Sequence, residues 1–191
     1  MSVKTIMIAG NDEAGKTTVA DYIKELHHAI DLRAHRVSFS DAPKDDLGEL
    51  GIDMFTKPFS QTKRELIRSY AECAKEQFGD NYWANRLITY VGSRYDNTST
   101  TYIVDDLRFN IELSTWRVQY PDSKIIVLTN NIPTYSYTSH ESVIQVNDII
   151  HLARTNKIPN VLCINNMHTI NGIHLSVKEM IEDYLFEIPI D

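Results

Sequence analysis

Five short apolar runs, mostly separated by longer amphipathic stretches, organise the sequence. Runs of this length, nearly continuous in apolar residues, are typical of strands that are buried on both faces of a sheet. We predict strands at Val3–Ala9, Arg36–Ser40, Thr101–Asp105, Lys124–Thr129 and Asn160–Asn165. Because helical patterns separate most of them, the chain is predicted to be an α/β protein, a three-layer fold whose five-stranded parallel sheet is flanked by helices.

Apolar positions at helical spacing predict the helices. They lie at Lys16–Ile30, Lys44–Leu50, Gln61–Phe78, Asn81–Ser93, Ile111–Gln119 and Ser176–Leu185. The third helix has an apolar stripe made of Leu66, Tyr70, Cys73, Ala74 and Phe78. Loops are predicted at Asp31–His35 and Tyr95–Thr100. Asn130–Ser142, which contains Pro133 and many small polar residues, is predicted to be a mobile connection or a lid.

A glycine-rich turn joins the first predicted strand to the first predicted helix. Its sequence, GNDEAGKT from Gly10 to Thr17, fits G-x-x-x-x-G-K-[ST]. In this setting the backbone N–H groups can surround a phosphate group, Lys16 can approach the β- and γ-phosphates of ATP, and the Thr17 hydroxyl can ligate Mg²⁺. A glycine turn that matches by chance is the alternative. The flanking strand and helix favour nucleotide binding by Gly10, Asn11, Asp12, Glu13, Ala14, Gly15, Lys16, Thr17 and Thr18.

Length and composition narrow the class of protein. The 191 residues contain no repeat and no Pro/Gly-rich linker, which predicts one domain over residues 1–191 with a possible lid at about 130–157. A net charge of −7 argues against general nucleic-acid binding. The phosphate loop begins too close to Met1 for a secretory signal, and no apolar run approaches the roughly 18 residues of a membrane span. Cys73 and Cys163 are expected to lie in apolar surroundings, which indicates reduced thiols and a cytoplasmic protein.

A charged cluster follows the third predicted strand. Asp106 is positioned for organising Mg²⁺, and Arg108 for contacting a phosphate group. Capping of the next helix by Asp106 is the alternative. After the second strand, Asp41 and Lys44 either contact an acceptor or only begin a helix near Pro43.

Two further candidates lie in the long third helix. Arg64 and Arg68 stand one turn apart, where they either meet an anion together or remain solvated. The histidines and cysteines show no zinc-ligand spacing.

Several segments in matching order resemble the bacteriophage deoxynucleoside monophosphate kinases and their relatives among the nucleoside/nucleotide kinases. These segments are the phosphate loop, FSDAPKDDL, TKRELIRSYAECAKEQFGDNYWANRL, TYIVDDLRFNIEL and KIIVLTNN, within residues 3–130. The pairing of Tyr82-Trp83 with the D-x-R-x-x-x-E pattern of Asp106, Arg108 and Glu112 is more specific than the phosphate loop.

The resemblance implies ATP- and Mg²⁺-dependent phosphorylation of a deoxynucleoside monophosphate, and a homodimer. By motif position, Lys16 would hold the donor, Arg108 would bind the acceptor phosphate or the transferred group, and Asp106 would support Mg²⁺ or the acceptor. The acceptor side would contain Asp41, Lys44, Arg64, Arg68 and Trp83.

Two departures keep a second hypothesis open. Asp12 and Glu13 place carboxylates where such phosphate loops often carry basic or neutral residues, and residues 126–142 contain no arginine. Arg154 is a possible substitute. The alternative function is therefore a kinase-derived structural component with an assembly partner and little or no activity.

Overall fold

The computed structural model describes residues 3–56, 60–94, 100–129, 141–165 and 177–179. Within them, five strands form one sheet in which all neighbouring strands are parallel, in the order β2-β3-β1-β4-β5. In chain order the strands are β1 (Lys4–Gly10), β2 (Arg33–Val37), β3 (Thr100–Leu107), β4 (Lys124–Thr129) and β5 (Val161–Asn165).

Helices cover both faces of this sheet. They are α1 (Lys16–Ala29), α2 (Asp41–Glu49), α3 (Gln61–Phe78), α4 (Tyr82–Ser93), α5 (Asn110–Gln119) and α6 (Glu141–Arg154). Helix α1 packs Val19 and Ile23 into the core on one face, and on the other face α4, α5 and α6 contribute Leu87, Trp116 and Ile149. The predicted three-layer α/β architecture is confirmed.

The central strand β1 explains the continuous apolar run at the start of the sequence. Ile6, Met7, Ile8 and Ala9 are fully buried, and alternate residues enter the two cores. A strand covered on both faces has no position at which a polar side chain would reach water. The same reasoning applies to Ile125, Ile126 and Val127 of β4, none of which is exposed.

The strand order creates a crevice at the carboxyl edge of the sheet. Strand β1 lies between β3 and β4, with α1 leading from β1 toward β2 and α5 leading from β3 across to β4. The connections after β1 and β3 therefore leave in opposite directions. Such a switch point is where open α/β sheets bind their ligands.

The second strand and the helix after it begin earlier than predicted. Strand β2 covers Arg33–Val37 instead of Arg36–Ser40, so part of the predicted loop Asp31–His35 is in the sheet. Strand β2 is at the sheet edge and buries only Val37, so no apolar run marks it; its pairing with β3 defines it. Helix α2 begins at Asp41 instead of Lys44, with Pro43 in its first turn.

Helix α6 is absent from the predicted elements. Its buried positions Val146, Ile149, Ile150 and Ala153 follow helical spacing, so the signal was present in the sequence. The prediction of a mobile connection is wrong for residues 141 and 142, which belong to this helix. Residues 130–140 lie outside the described residues, and so does most of the predicted Ser176–Leu185 helix. The lid and the single-domain division stay predictions.

The apolar stripe assigned to the third helix is mostly exposed. Leu66 is 38% exposed and Phe78 61%, while Ala74 is the one residue of α3 that is buried. The helix packs against α2 and α4, and together with them it borders a cavity described below. Both Cys73, on α3, and Cys163, on the edge strand β5, are free and exposed, which corrects the expectation of apolar surroundings. Among the described residues, no helix has the length and apolar character that a bilayer span requires.

Candidate active site

The loop between β1 and α1 closes on the ammonium group of Lys16. A Cβ at Gly10 would lie 2.9 Å from the carbonyl oxygen of Leu128 on β4, and Gly15 has a left-handed φ of 88°. Both positions therefore favour glycine. Lys16 Nζ donates hydrogen bonds of 2.7 Å to the carbonyl oxygens of Gly10 and Asn11. A positive charge thus lies beside the N-terminus of α1, an arrangement suited to phosphate groups.

The remaining residues of the predicted phosphate-binding set continue this turn into α1. Ala14 is buried, whereas Asp12 and Glu13 are exposed, and Glu13 has a left-handed φ of 63°. Thr17 and Thr18 are exposed in the first turn of α1. Of the nine predicted residues, Gly10 and Ala14 are buried and the other seven are at least partly exposed.

Asp12 is paired with an arginine from the neighbouring strand end. The Nη2 atom of Arg108 lies 2.8 Å from Asp12 Oδ1, and the side chains are 34% and 64% exposed, respectively. Partial burial acts to raise the pKa of Asp12, but Arg108 and Lys16 outweigh it and hold the pKa below its ordinary value. This pair offsets the acidic charge that makes the loop unusual.

Lys16 and Arg108 share one electrostatic environment. Burial lowers the pKa of Lys16, and the nearby positive charge of Arg108 lowers it further. The carboxylates of Asp12, Asp106 and Asp105 act in the opposite direction. Two cations therefore face the carboxyl edge of the sheet, balanced by acids from the phosphate loop and β3.

Asp106 organises the loop between β2 and α2. Its Oδ2 accepts hydrogen bonds from Ser38 Oγ at 2.5 Å and from the Ser40 backbone N–H at 3.1 Å. Its Oδ1 accepts from the Phe39 backbone N–H at 2.8 Å. Asp106 therefore binds backbone donors of a different loop, not those of the helix that follows it in sequence.

Glu112 accepts hydrogen bonds from backbone N–H groups at the start of α5. One of its oxygens accepts from the backbone N–H groups of Arg108 at 2.9 Å and of Phe109 at 3.0 Å. The side chain is buried, and burial, reinforced by the charge of Asp106, raises its pKa to about 8. Glu112 thus holds the main chain of Arg108 in place.

Asp105 precedes Asp106 where the pairing of β3 with β1 shifts register, and it lines the same cavity as Asp106. Its Oδ2 lies 3.1 Å from Arg36 Nε, and its side chain is 11% exposed. Burial, followed by the charge of Asp106, raises the pKa of Asp105 to about 6. Asp105 shares a cavity of about 420 Å³ with Lys16 and Thr17, which we call the donor cavity.

A second cavity, which we call the acceptor cavity, has a volume of about 370 Å³. Five basic side chains line it, namely Lys44, Arg64, Arg68, Lys75 and Arg108. Its acidic lining residues are Asp12, Glu72, Asp106 and Glu112. Ser40, Lys44, Asp106 and Arg108 line both cavities, so the two are adjacent.

The predicted acceptor-side residues do not all lie together. Lys44, Arg64, Arg68 and Trp83 line the acceptor cavity, whereas Asp41 lines the donor cavity. Trp83 is 4% exposed, and its Nε1 donates to the carbonyl oxygen of Ala71 at 3.0 Å. Trp83 therefore links α4 to α3 through this hydrogen bond and forms part of the cavity wall.

Other lining residues were missed by the sequence analysis. Lys75 lies on the same face of α3 as Arg64 and Arg68, seven residues after Arg68, and its Nζ is 3.9 Å from the centroid of the Phe109 ring. Helical spacing could have identified Lys75. Ser142 enters from the start of α6, which only the tertiary structure brings here. Arg154 ends this helix, roughly 18 Å further along its axis, and lines neither cavity.

Comparison with known proteins adds evidence about the fold. No protein-family model and no curated protein matches the sequence. The APS kinase of Mycobacterium tuberculosis, solved in complex with AMPPNP and APS, is similar in structure, with 12% identity, a TM-score of 0.50, and coverage of 95% of this chain and 98% of that chain. A gluconokinase from Sinorhizobium meliloti 1021 has 11% identity, a TM-score of 0.49 and coverage of 96% and 97%.

A sugar kinase from Janibacter sp. HTCC2649 has 13% identity, a TM-score of 0.47, and coverage of 97% of this chain and 94% of that chain. Identities this low inform on architecture alone. The specific resemblance to bacteriophage deoxynucleoside monophosphate kinases stays a prediction. Together with the likeness to the APS kinase, the phosphate loop and the sheet order show that the chain has the fold of the P-loop kinases.

Proposed function

We propose that this protein transfers the γ-phosphoryl group of ATP to a nucleoside or deoxynucleoside monophosphate, forming the diphosphate. The observation that carries the proposal is the junction of the two cavities, where Lys44, Asp106 and Arg108 border both. A phosphoryl group can pass from donor to acceptor only where the two binding sites meet. At this junction Lys44 and Arg108 provide positive charge near the position of the transferred group.

The donor side of the proposal uses the phosphate loop. The backbone N–H groups of residues 10–18 and the ammonium of Lys16 would hold the triphosphate of ATP. Phosphate oxygens would then replace the carbonyl oxygens of Gly10 and Asn11 as acceptors of the Lys16 hydrogen bonds.

The donor cavity suits magnesium in its usual nucleotide-bound form. Mg²⁺ bound to ATP takes one or two protein oxygens and completes its shell with phosphates and water. The hydroxyl of Thr17 and the carboxylate of Asp105 line this cavity, and the described residues contain no cluster of three or more potential ligands. Bound there, the ion would neutralise phosphate charge. We assign its support to Thr17 and Asp106, as the sequence predicts; Asp105 lines the same cavity beside them and is paired with Arg36.

The basic lining of the acceptor cavity favours an acceptor that carries its own phosphate group. Arg64, Arg68 and Lys75 project from one face of α3, opposite Lys44 and Arg108. A neutral sugar could form no ion pair with these cations, whereas a monophosphate could pair with several of them. The ring of Phe109, which is partly exposed, lines the same cavity and offers a surface on which a base could stack. The resemblance to nucleotide kinases points the same way.

The chemical step in this proposal requires little beyond positioning. Phosphoryl transfer proceeds in line, with charge spread over the oxygens of the transferred group. Lys16 and Arg108 would lie on either side of that group and neutralise it. One such arginine can be worth on the order of 10³-fold in rate.

A coupled assay tests the proposal. ADP formation is measured with MgATP and each of the four deoxynucleoside monophosphates, with ribose 5-phosphate as a phosphorylated acceptor that lacks a base. We expect turnover with at least one nucleotide, and a loss of about 10³-fold in kcat/KM on Arg108→Ala. Arg154→Ala is the matched control, because Arg154 lines neither cavity.

The outcomes separate the hypotheses. Turnover with ribose 5-phosphate alone would refute the nucleotide acceptor. Failure to phosphorylate any acceptor, together with no binding of MgATP by calorimetry, would favour the kinase-derived structural component.

A further inference from the structure

The contact between Asp12 and Arg108 joins the phosphate loop to the junction of the two cavities. Asp12 is the third residue of the loop motif, and Arg108 follows β3, 96 residues later. Arg108 lines both cavities and Asp12 lines the acceptor cavity. The ion pair therefore lies where the phosphate groups of donor and acceptor would meet.

The two ends of Arg108 are held by different carboxyl groups. Glu112 accepts the backbone N–H of Arg108 at 2.9 Å, which fixes the main chain. The side chain beyond it is long, and an unrestrained arginine samples many rotamers. Asp12 Oδ1 accepts from Nη2 at 2.8 Å and so restrains the guanidinium end.

The pair also addresses an electrostatic problem of the loop. A carboxylate in an anion-binding loop repels the phosphate groups that the loop binds, and at short range the repulsion is substantial. Arg108 is the closest cation to Asp12 among those described, with Lys16 and Arg64 acting from further away. The positive charge of Arg108 offsets the negative charge of Asp12. This makes an acidic residue in the loop compatible with nucleotide binding.

We propose that Asp12 is a positioning residue for Arg108: it holds the guanidinium at the junction of the cavities, and Arg108 in turn shields bound phosphate from the charge of Asp12. The positioning rests on the proposed phosphoryl transfer, whereas the shielding requires only that the loop binds a nucleotide. The identity of the acceptor does not enter it.

A double-mutant cycle on nucleotide affinity tests the shielding. The dissociation constant of Mg²⁺–AMPPNP is measured by calorimetry for the wild type, Asp12→Asn, Arg108→Ala and the double variant. We expect Asp12→Asn to tighten binding more in the Arg108→Ala background than in the wild type, by a further factor of about two to five, the range of exposed ion pairs. Equal effects in both backgrounds would overturn the shielding.

Glu13→Gln is the matched control for charge. It removes a neighbouring carboxylate from the same loop, and no ion pair of Glu13 occurs within the described residues. We expect its effect on affinity to be the same with and without Arg108. A coupling as large as that of Asp12 would show that the cycle measures general loop charge, which would also overturn the proposal.

Turnover tests the positioning. With the best nucleotide acceptor, Asp12→Asn should lower kcat by at least about fivefold while the KM for ATP stays equal or falls, and Asp12→Glu should recover most of kcat. A kcat within twofold of the wild type would overturn the positioning. If Asp12 and Arg108 are coupled in AMPPNP binding but no monophosphate is turned over, the proposed acceptor is refuted and the shielding stands. If the wild type does not bind AMPPNP, the proposed function and the shielding are both overturned.

Discussion

Replacing Glu112 by glutamine should change how the stability of the protein depends on pH. Glu112 is buried, and its pKa is raised from 4.5 to about 8 in the folded protein, chiefly by burial. Between these values the folded state keeps a proton that the unfolded state releases. The folded state therefore binds more protons, and the free energy of unfolding falls as the pH rises through this window.

The size of the effect follows from the two pKa values. A difference of one pKa unit corresponds to about 1.4 kcal/mol, so Glu112 costs about 3 kcal/mol of stability at pH 7 and at most about 5 kcal/mol above pH 8. Below pH 4.5 the group is protonated in both states and the cost vanishes. Glutamine keeps an oxygen that can accept from the Arg108 and Phe109 backbone N–H groups, but it does not titrate.

The assay is urea denaturation of the wild type and Glu112→Gln from pH 4.5 to 8.5. The difference in unfolding free energy between the two should grow with pH in favour of the variant, because contributions of other groups such as Asp105 cancel in the difference. Glu76→Gln, at an exposed position of α3, is the control and should give a flat difference. A flat or opposite slope for Glu112→Gln would refute the reasoning; a constant offset would not.

Three further predictions concern the phosphate loop, the acceptor cavity and the junction. Lys16→Ala should abolish turnover, and turnover above about 1% of the wild type would contradict this. Circular dichroism should show a retained fold, because the Lys16 side chain donates hydrogen bonds to only two loop carbonyls. Arg68→Ala should raise the KM of the acceptor about tenfold and leave the KM of ATP unchanged, and equal shifts in both would remove Arg68 from the acceptor side. Asp106→Ala should lower the free energy of unfolding by about 2 kcal/mol in urea denaturation, because the Phe39 N–H loses its acceptor while Ser38 Oγ and the Ser40 N–H keep only their bonds within the loop. The exposed Asp122→Ala should change it little, and a loss below about 1 kcal/mol for Asp106→Ala would show that the loop holds without Asp106.

Features set by neighbouring residues could be predicted from the sequence. The buried strands β1 and β4 appear as apolar runs because both of their faces are covered. The phosphate loop can be recognised because its glycines, Lys16 and Thr17 recur at fixed spacing within eight adjacent residues, and Gly15 adopts a left-handed φ within that turn. Helix α6 carries a local signal of the same kind, because its buried residues Val146, Ile149, Ile150 and Ala153 follow helical spacing.

Features set by pairing across the chain could not be predicted. The edge strand β2 has little apolar character, so only its register with β3 defines it. The exposed stripe of α3 shows the same limit, because helical spacing identifies an apolar face but not what that face meets.

The fold likewise decided which partner each charged side chain of the candidate site contacts. The sequence by itself determined that a phosphate-binding turn and an acidic strand end exist, since each is a property of a few adjacent residues. Only the tertiary structure decided that Asp106 binds the loop of residues 38–40, that Asp105 faces the donor cavity, and that Asp12 meets Arg108. Hydrogen bonds and ion pairs act over a few ångströms, so their partners depend on how the sheet brings distant segments together.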